Sequence, residues 1–162
     1  MLVQLLGVRR AVEVGTFTGY SSLAIARGLA PGGRLLCCDV SEEWTAVARQ
    51  AWAEAGVGDR IELRIGPAID TLRALPADEP IDFGFIDADK ESNWDYFSEI
   101  VTRLRPGGIV VVDNTLWNGK VLDPRDATTR AVDAFNKRLV ADDRVQVVML
   151  PVGDGVTLAR RC

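Results

Sequence analysis

The chain has no histidine. That absence removes the commonest general base and the commonest transition-metal ligand together, so any catalysis has to draw on carboxylates, amides, lysine, tyrosine or cysteine. Nor does any window approach the roughly 18 uninterrupted apolar residues of a membrane span, and no membrane partner is expected. The stretch Met1 to Arg10 carries an apolar patch, but no basic region precedes it and no small-residue cleavage site follows at once. It reads as the end of a helix rather than a secretory signal. Lys and Arg form no long tract and the net charge is -4, which argues against a duplex-binding surface and leaves no nucleic-acid partner. Cysteine is scarce. Of three, Cys37 and Cys38 are neighbours pointing to opposite faces of a strand and Cys162 is terminal, a reduced, cytoplasmic usage.

What remains is ordinary globular composition, 48% hydrophobic and 26% charged over 162 residues, which suits one domain with one core. Apolar, partly β-branched runs begin at Ala11, Arg34, Ile61, Ile81 and Gly108, and a closing pair lies in "VQVVMLPV" and "VTLAR". They read as strands, the first five parallel. Between them, Trp44, Val47, Ala48, Ala51 and Ala55 share a helical face, as do Trp94, Phe97, Val101 and Leu104, and then Ala131, Phe135 and Leu139. Strand alternating with helix at this spacing gives an α/β, doubly wound sheet with both faces covered. "GDG" at Gly153 to Gly155 closes a C-terminal antiparallel hairpin. "PGG", at Pro31 to Gly33 and Pro106 to Gly108, marks helix stops and re-entry turns at the bottom of the sheet. Ligands are then expected at the opposite, C-terminal strand ends.

The first strand leaves through "VEVGTFTGYSSLAIA", a turn with Gly15 and Gly19. Phe17 takes the middle place of what would otherwise be a dinucleotide fingerprint, and no phosphate-binding lysine is present. A nucleotide-dependent oxidoreductase is therefore disfavoured. Glu13 lies inside an apolar strand, where an unpaired carboxylate is costly. Asp39 closes the second strand, where acids accept ribose hydroxyls in nucleoside-binding α/β folds. Together these suggest a cationic adenosyl ligand.

"VEVGTFTGYSSLAIA", "GPAIDTL", "FIDADK", "LRPGG" and "VVDNTLWNGKV" resemble the cation-dependent S-adenosylmethionine O-methyltransferases, the family of catechol and caffeoyl-CoA O-methyltransferases. The likeness runs through almost the whole chain. It implies a class I methyltransferase, Rossmann-like fold with a mostly parallel seven-stranded sheet. It also implies that Glu13, Gly15, Thr16, Ser21, Asp39 and Ala68 line the S-adenosyl-L-methionine pocket, which Asp87 joins. The family carries several helices before the first strand. Here that strand begins near residue 11, so a single domain, residues 1–162, is expected without most of that segment. The family's subunit contacts leave a homodimer open.

Asp87 closes the fourth strand, and Asp113 and Asn114 close the fifth, so three hard oxygen donors converge and suit Mg²⁺. In the family, the matching positions bind the divalent metal. Lys90, three residues after Asp87, reaches the same cleft and is the family's proposed general base. Alone, "DADK" also reads as a helix N-terminus and "DN" as a turn. Asp89 is expected to cap a helix or face solvent. Trp117 could wall a planar ring or sit in the core, and Trp94 fits the core. The expected acceptor is a small vicinal dihydroxy-aromatic molecule of catechol type, whose two oxygens can chelate a metal. The alternative is a cofactor-binding pseudoenzyme or partner-regulated subunit without turnover.

Overall fold

In the computed structural model, which describes residues 1–162, thirteen helices and strands alternate along the chain. They are α1 (Leu2–Leu5), β1 (Arg10–Val14), α2 (Tyr20–Gly28), β2 (Arg34–Asp39), α3 (Glu42–Glu54), β3 (Ile61–Ile65) and α4 (Ala68–Arg73), followed by β4 (Ile81–Ile86), α5 (Asn93–Arg103), β5 (Leu104–Asp113), α6 (Ala127–Val140), β6 (Val145–Leu150) and β7 (Val156–Arg161). The strands form one seven-stranded sheet in the order β3-β2-β1-β4-β5-β7-β6. The first five are parallel, and β7 runs antiparallel to both β5 and β6. This is the doubly wound sheet with a closing hairpin that the sequence pattern calls for. The chain winds outward from β1 to β3 and returns to β4 beside β1, which makes the β1/β4 boundary the switch point of the topology.

Alternation along each strand divides the core between the two faces. Ala11, Leu35 and Cys37 pack with Ala48 and Trp52 of α3. Val12, Val14 and Cys38 pack on the other side with Phe97, Ile100 and Phe135 of α5 and α6. Cys37 and Cys38 thus enter opposite cores as free thiols.

Two local expectations change. On α3 the buried residues are Thr45, Ala48 and Trp52, while Trp44 and Val47 are 46% and 51% exposed. The helix is rotated to bury Trp52, whose Nε1 donates to Ser22 Oγ at 3.0 Å, and Trp44 turns out towards Phe17. The second "PGG" does not precede its strand but falls within it: Leu104 pairs with Ile81 and Ile109 with Phe83, so Arg105 to Gly108 bulge out between two paired positions.

The lower end of the sheet is tied by one carboxylate. Asp82 Oδ2 accepts from the backbone N–H of Arg9 at 2.8 Å and of Arg10 at 2.9 Å, and Oδ1 accepts from Arg105 Nε at 2.6 Å. Burial alone would raise its pKa, but the two N–H groups and the guanidinium outweigh it and hold the carboxyl below its ordinary 3.8. A depressed pKa stabilises the fold above the ordinary value and loses that contribution as pH falls through the folded one. Asp82→Ala is expected to lower the unfolding free energy at neutral pH by about 1–3 kcal/mol, the range for bonds to a charged group. In urea melts the gap to wild type should narrow as pH falls below 3.8. A gap that stays constant with pH would mean the carboxylate's charge is not what matters.

Candidate active site

At the upper end the ladders continue one step past the strands. Gly15 N donates to Cys38 O at 3.0 Å and Asp87 N to Val14 O at 2.9 Å. Gly15 has φ +87°, and a Cβ there would lie 2.1 Å from the Asp87 carbonyl oxygen. Only glycine lets the first turn close against the end of β4. Asp39, at the end of β2, holds that turn in shape. Its Oδ2 accepts from the N–H of Thr16 at 2.9 Å and Phe17 at 2.8 Å, and its Oδ1 from Ser41 N at 2.8 Å. The residue expected to meet a ribose therefore already orders backbone, with a lone pair to spare on Oδ1.

A cavity of about 410 Å³ opens above this turn. Gly15, Asp39, Ala68 and Asp87 line it, as do Phe17, Val40, Pro67, Ala88, Asp89 and Tyr96. The volume, the apolar walls and the few carboxylates suit a nucleoside-sized ligand. A second cavity, about 460 Å³, lies at the lower ends of β1, β2 and β3 between Arg10, Arg34 and Glu79, away from every expected site residue.

Glu13, Thr16 and Ser21 do not line the upper cavity; they sit beneath the turn, on the α2 side of the sheet. Glu13 is fully buried, accepts from Cys37 Sγ at 3.3 Å through Oε2, and leaves Oε1 without a partner. Thr16 Oγ1 is likewise buried and unpartnered. Burial pushes the Glu13 carboxyl up to about 7, against the pull of the nearby Ser21 hydroxyl, the bonded Cys37 thiol and the nearby Thr16 hydroxyl. Glu13 Oε1 and Thr16 Oγ1 are thus two buried polar atoms without partners directly beneath the cavity floor.

Ile86 of β4 pairs with Val112 of β5, so the next residues, Asp87 and Asp113, emerge side by side. Asn114 follows at φ 60°, its N–H donating to Asp113 Oδ1 at 2.6 Å. Lys90 is 5% exposed, and its Nζ donates to Asp87 Oδ1 at 3.0 Å. That ammonium also lies 5.9 Å from the centroid of the half-buried Trp117 ring. The geometry thus gathers Asp87, Lys90 and Trp117 and brings Asp113 and Asn114 to the neighbouring strand end. No group of three or more Cys, Asp or Glu side chains forms a metal cluster. Two carboxylates and an amide are nonetheless a hard-oxygen set that fits Mg²⁺, which fills its remaining positions with water or substrate.

Asp89 is solvent-exposed, one of its two expected fates, at the N-terminal position of the short 3₁₀ turn Lys90–Ser92, where it makes no side-chain cap bond. It also borders the cavity and accepts from Tyr96 Oη at 2.8 Å. Trp94 is half-buried against the core, with the Arg138 guanidinium 3.7 Å above its ring. Sequence reasoning missed Phe17 as a wall, together with its partner Trp44, the ring centroids being 4.9 Å apart. It missed Val40, Pro67 and Tyr96 as well. The available signal was position: Val40 and Pro67 lie just beyond the ends of β2 and β3.

Comparison with known proteins adds independent findings. The sequence pattern of one family, described as O-methyltransferase, matches residues 1–162. Caffeoyl-CoA O-methyltransferase 2 of Zea mays is 43% identical over 173 residues, covering 99% of this chain and 66% of that protein. Caffeoyl-CoA O-methyltransferase 1 of Eucalyptus globulus is 41% identical, with 99% and 70% covered. The chain thus spans about two thirds of the length of these relatives. Among solved structures, the O-methyltransferase TomG from Streptomyces achromogenes, involved in tomaymycin synthesis and in complex with SAM, superposes with a TM-score of 0.91 at 37% identity, covering 99% of this chain and 76% of that one. An O-methyltransferase from Bacillus cereus in complex with SAH gives 0.92 at 36%, covering 99% and 77%.

The buried Glu13 makes stability depend on pH. Its folded pKa, about 7, lies above the ordinary 4.5, so its contribution is fully present below 4.5 and is lost as pH rises through about 7. Glu13→Gln should therefore gain on wild type as pH rises from 5 to 8, by on the order of 1–3 kcal/mol. Denaturant melts at both pH values would measure this. A wild-type–variant difference that does not move with pH would mean Glu13 is solvated or paired.

Proposed function

The chain belongs to the O-methyltransferase family, and on that premise we propose that it moves the methyl group of S-adenosylmethionine to one hydroxyl of a vicinal dihydroxy-aromatic small molecule, assisted by Mg²⁺ or a similar divalent cation. The observation that carries this reading is Lys90: nearly buried, it is bonded to Asp87, which borders both the cofactor cavity and the oxygen donors of β5. Solved relatives holding SAM or SAH support the cofactor. The caffeoyl group in the relatives' names, itself a vicinal diol on an aromatic ring, supports the acceptor class. A net charge of -4 agrees with a small-molecule partner rather than nucleic acid.

The chemistry needs an oxygen nucleophile in line with the S–CH₃ bond, and a phenol near pKa 10 is mostly neutral at pH 7. The cofactor supplies the electrophilic methyl, and a divalent cation held by Asp87, Asp113 and Asn114 would favour the ionised phenol. As an ammonium bonded to Asp87, Lys90 is a donor that orients the acceptor oxygen; as an amine it would receive the phenol's proton at Nζ. Trp117 offers its ring as a wall for the planar acceptor on the same side as Lys90. Phe17, Val40 and Pro67 offer the cofactor apolar surface at the cavity wall. A binding protein without turnover is not favoured, because the matching family and its relatives are O-methyltransferases.

Two substitutions should fail differently. Asp87→Ala is expected to lose Mg²⁺ affinity and the metal dependence of acceptor binding. Lys90→Ala should keep metal and cofactor but lose turnover by about 10² to 10⁴, partly rescued at higher pH where the phenol is already ionised. Near-wild-type turnover from both variants would sink the assignment.

Excess EDTA should abolish methyl transfer to a panel of catechols. Unchanged transfer under EDTA would remove the metal from the mechanism.

A further inference from the structure

The loop after β5 carries Asp113, Asn114 and Trp117, and between Asn114 and Gly119 it makes two backbone bonds of its own, Trp117 N to Asn114 O at 3.3 Å and Gly119 N to Leu116 O at 2.9 Å. Asn114, Trp117 and Asn118 have φ of 60°, 49° and 53°, three residues with a Cβ in the left-handed region within five positions. Elements outside the loop also hold that path.

Two elements do. From one side comes the turn between β6 and β7. Gly155 O accepts from Thr115 N at 3.0 Å and Asp154 O from Leu116 N at 2.9 Å. The Asp154 carboxylate accepts from the N–H of Asn118. The fit is close: a Cβ on Gly155, at φ +83°, would lie 2.5 Å from Leu116 Cγ and 2.8 Å from its nitrogen. From the other side comes α6, where Asn136 Nδ2 donates to Thr115 O at 2.7 Å. Between them Thr115, 1% exposed, bonds through its hydroxyl to that of Thr157 at 3.0 Å.

The hairpin does not need the Asp154 side chain for itself. Its turn is closed by Gly155 N donating to Val152 O at 3.0 Å, and its ladder ends at the pair Leu150 and Val156. Nor is Asn136 there for its own satisfaction, because its Oδ1 is buried without a partner while its amide serves Thr115.

We infer that Asp154 and Asn136 are positioning residues that clamp the Asp113–Asn118 loop and thereby set the affinity of the metal site without touching the metal. The inference rests on the metal reading proposed above. It gives the "GDG" turn a task beyond reversing the chain: fixing the angle at which two oxygen ligands and the aromatic wall face Lys90. Partners behind metal ligands typically change affinity about 10- to 100-fold when removed.

The test is Mn²⁺ binding to the whole chain by titration calorimetry, without acceptor, for wild type, Asp154→Ala, Asp154→Asn and Asn136→Ala, with S-adenosylhomocysteine affinity as a parallel readout. Asp154→Ala and Asn136→Ala should each weaken Mn²⁺ about tenfold or more, with S-adenosylhomocysteine affinity within about twofold of wild type. Asp154→Asn, whose amide oxygen still accepts from Asn118, should restore most of the Mn²⁺ affinity. Folded Asp154→Ala and Asn136→Ala proteins that bind Mn²⁺ like wild type overturn the inference. So does a loss that Asp154→Asn fails to restore, since that would be a charge effect. If Asp154→Ala does not fold, Asn136→Ala decides alone. A wild-type chain that binds no Mn²⁺ overturns the metal reading, and this inference with it.

Discussion

The close approach of Gly15 to the carbonyl of Asp87 is the constraint on which the upper end of this molecule depends. A Cβ at Gly15 would fall 2.1 Å from that oxygen, so the turn after β1 and the end of β4 can meet only with glycine there. Their meeting does two things. It sets the floor of the cavity, and it puts Asp87 at the boundary between the cavity and the oxygen donors of β5. A methyl donor on one side and an acceptor oxygen on the other must come within reach of each other. A residue shared by both sites is a direct way to keep their separation short.

The acids of the sheet form a graded series when their partners are compared. Asp82, at the lower end, has three donors and serves the fold alone. Asp39 spends two bonds on the first turn and one on Ser41 N, yet still faces the cavity. Asp87 has one side-chain partner, Lys90, and faces the cavity half-open. Glu13 is buried with an oxygen left over, a cost to stability that the fold tolerates beneath the turn. Of the two carboxylates compared here that face the cavity, Asp87 keeps more of its oxygen free for a ligand than Asp39 does.

The C-terminal hairpin extends this logic to the other side. Its strands complete the sheet beyond β5, and its turn reaches over the loop that carries the remaining oxygen donors. The site is therefore supported from both flanks: by Lys90 of the 3₁₀ turn before α5 and Tyr96 of α5, and by Asp154 of the β6–β7 turn.

Much of this was legible in the sequence, because periodicity reports burial. Apolar runs of strand length alternating with helical stripes leave few packings, and strand parity alone separated Cys37 from Cys38. The strand ends at Asp39, Asp87 and Asp113 could be read as site positions because a parallel sheet places all its carboxyl ends on one edge. Other features could not be read. The rotation of α3 follows from Trp52 finding a buried partner in Ser22, a residue of another helix that a helical wheel of α3 does not contain. The bulge at Arg105 to Gly108 follows from the register with β4. Whether Glu13 would meet donors, and whether Asp89 would cap a helix or face the cavity beside Tyr96, depended on side-chain directions at the junction of separate elements. The sequence by itself determined which elements form and which ends they present, since local pattern encodes those. Only the tertiary structure decided which polar atoms at those ends find partners, since the partners come from residues distant in the chain.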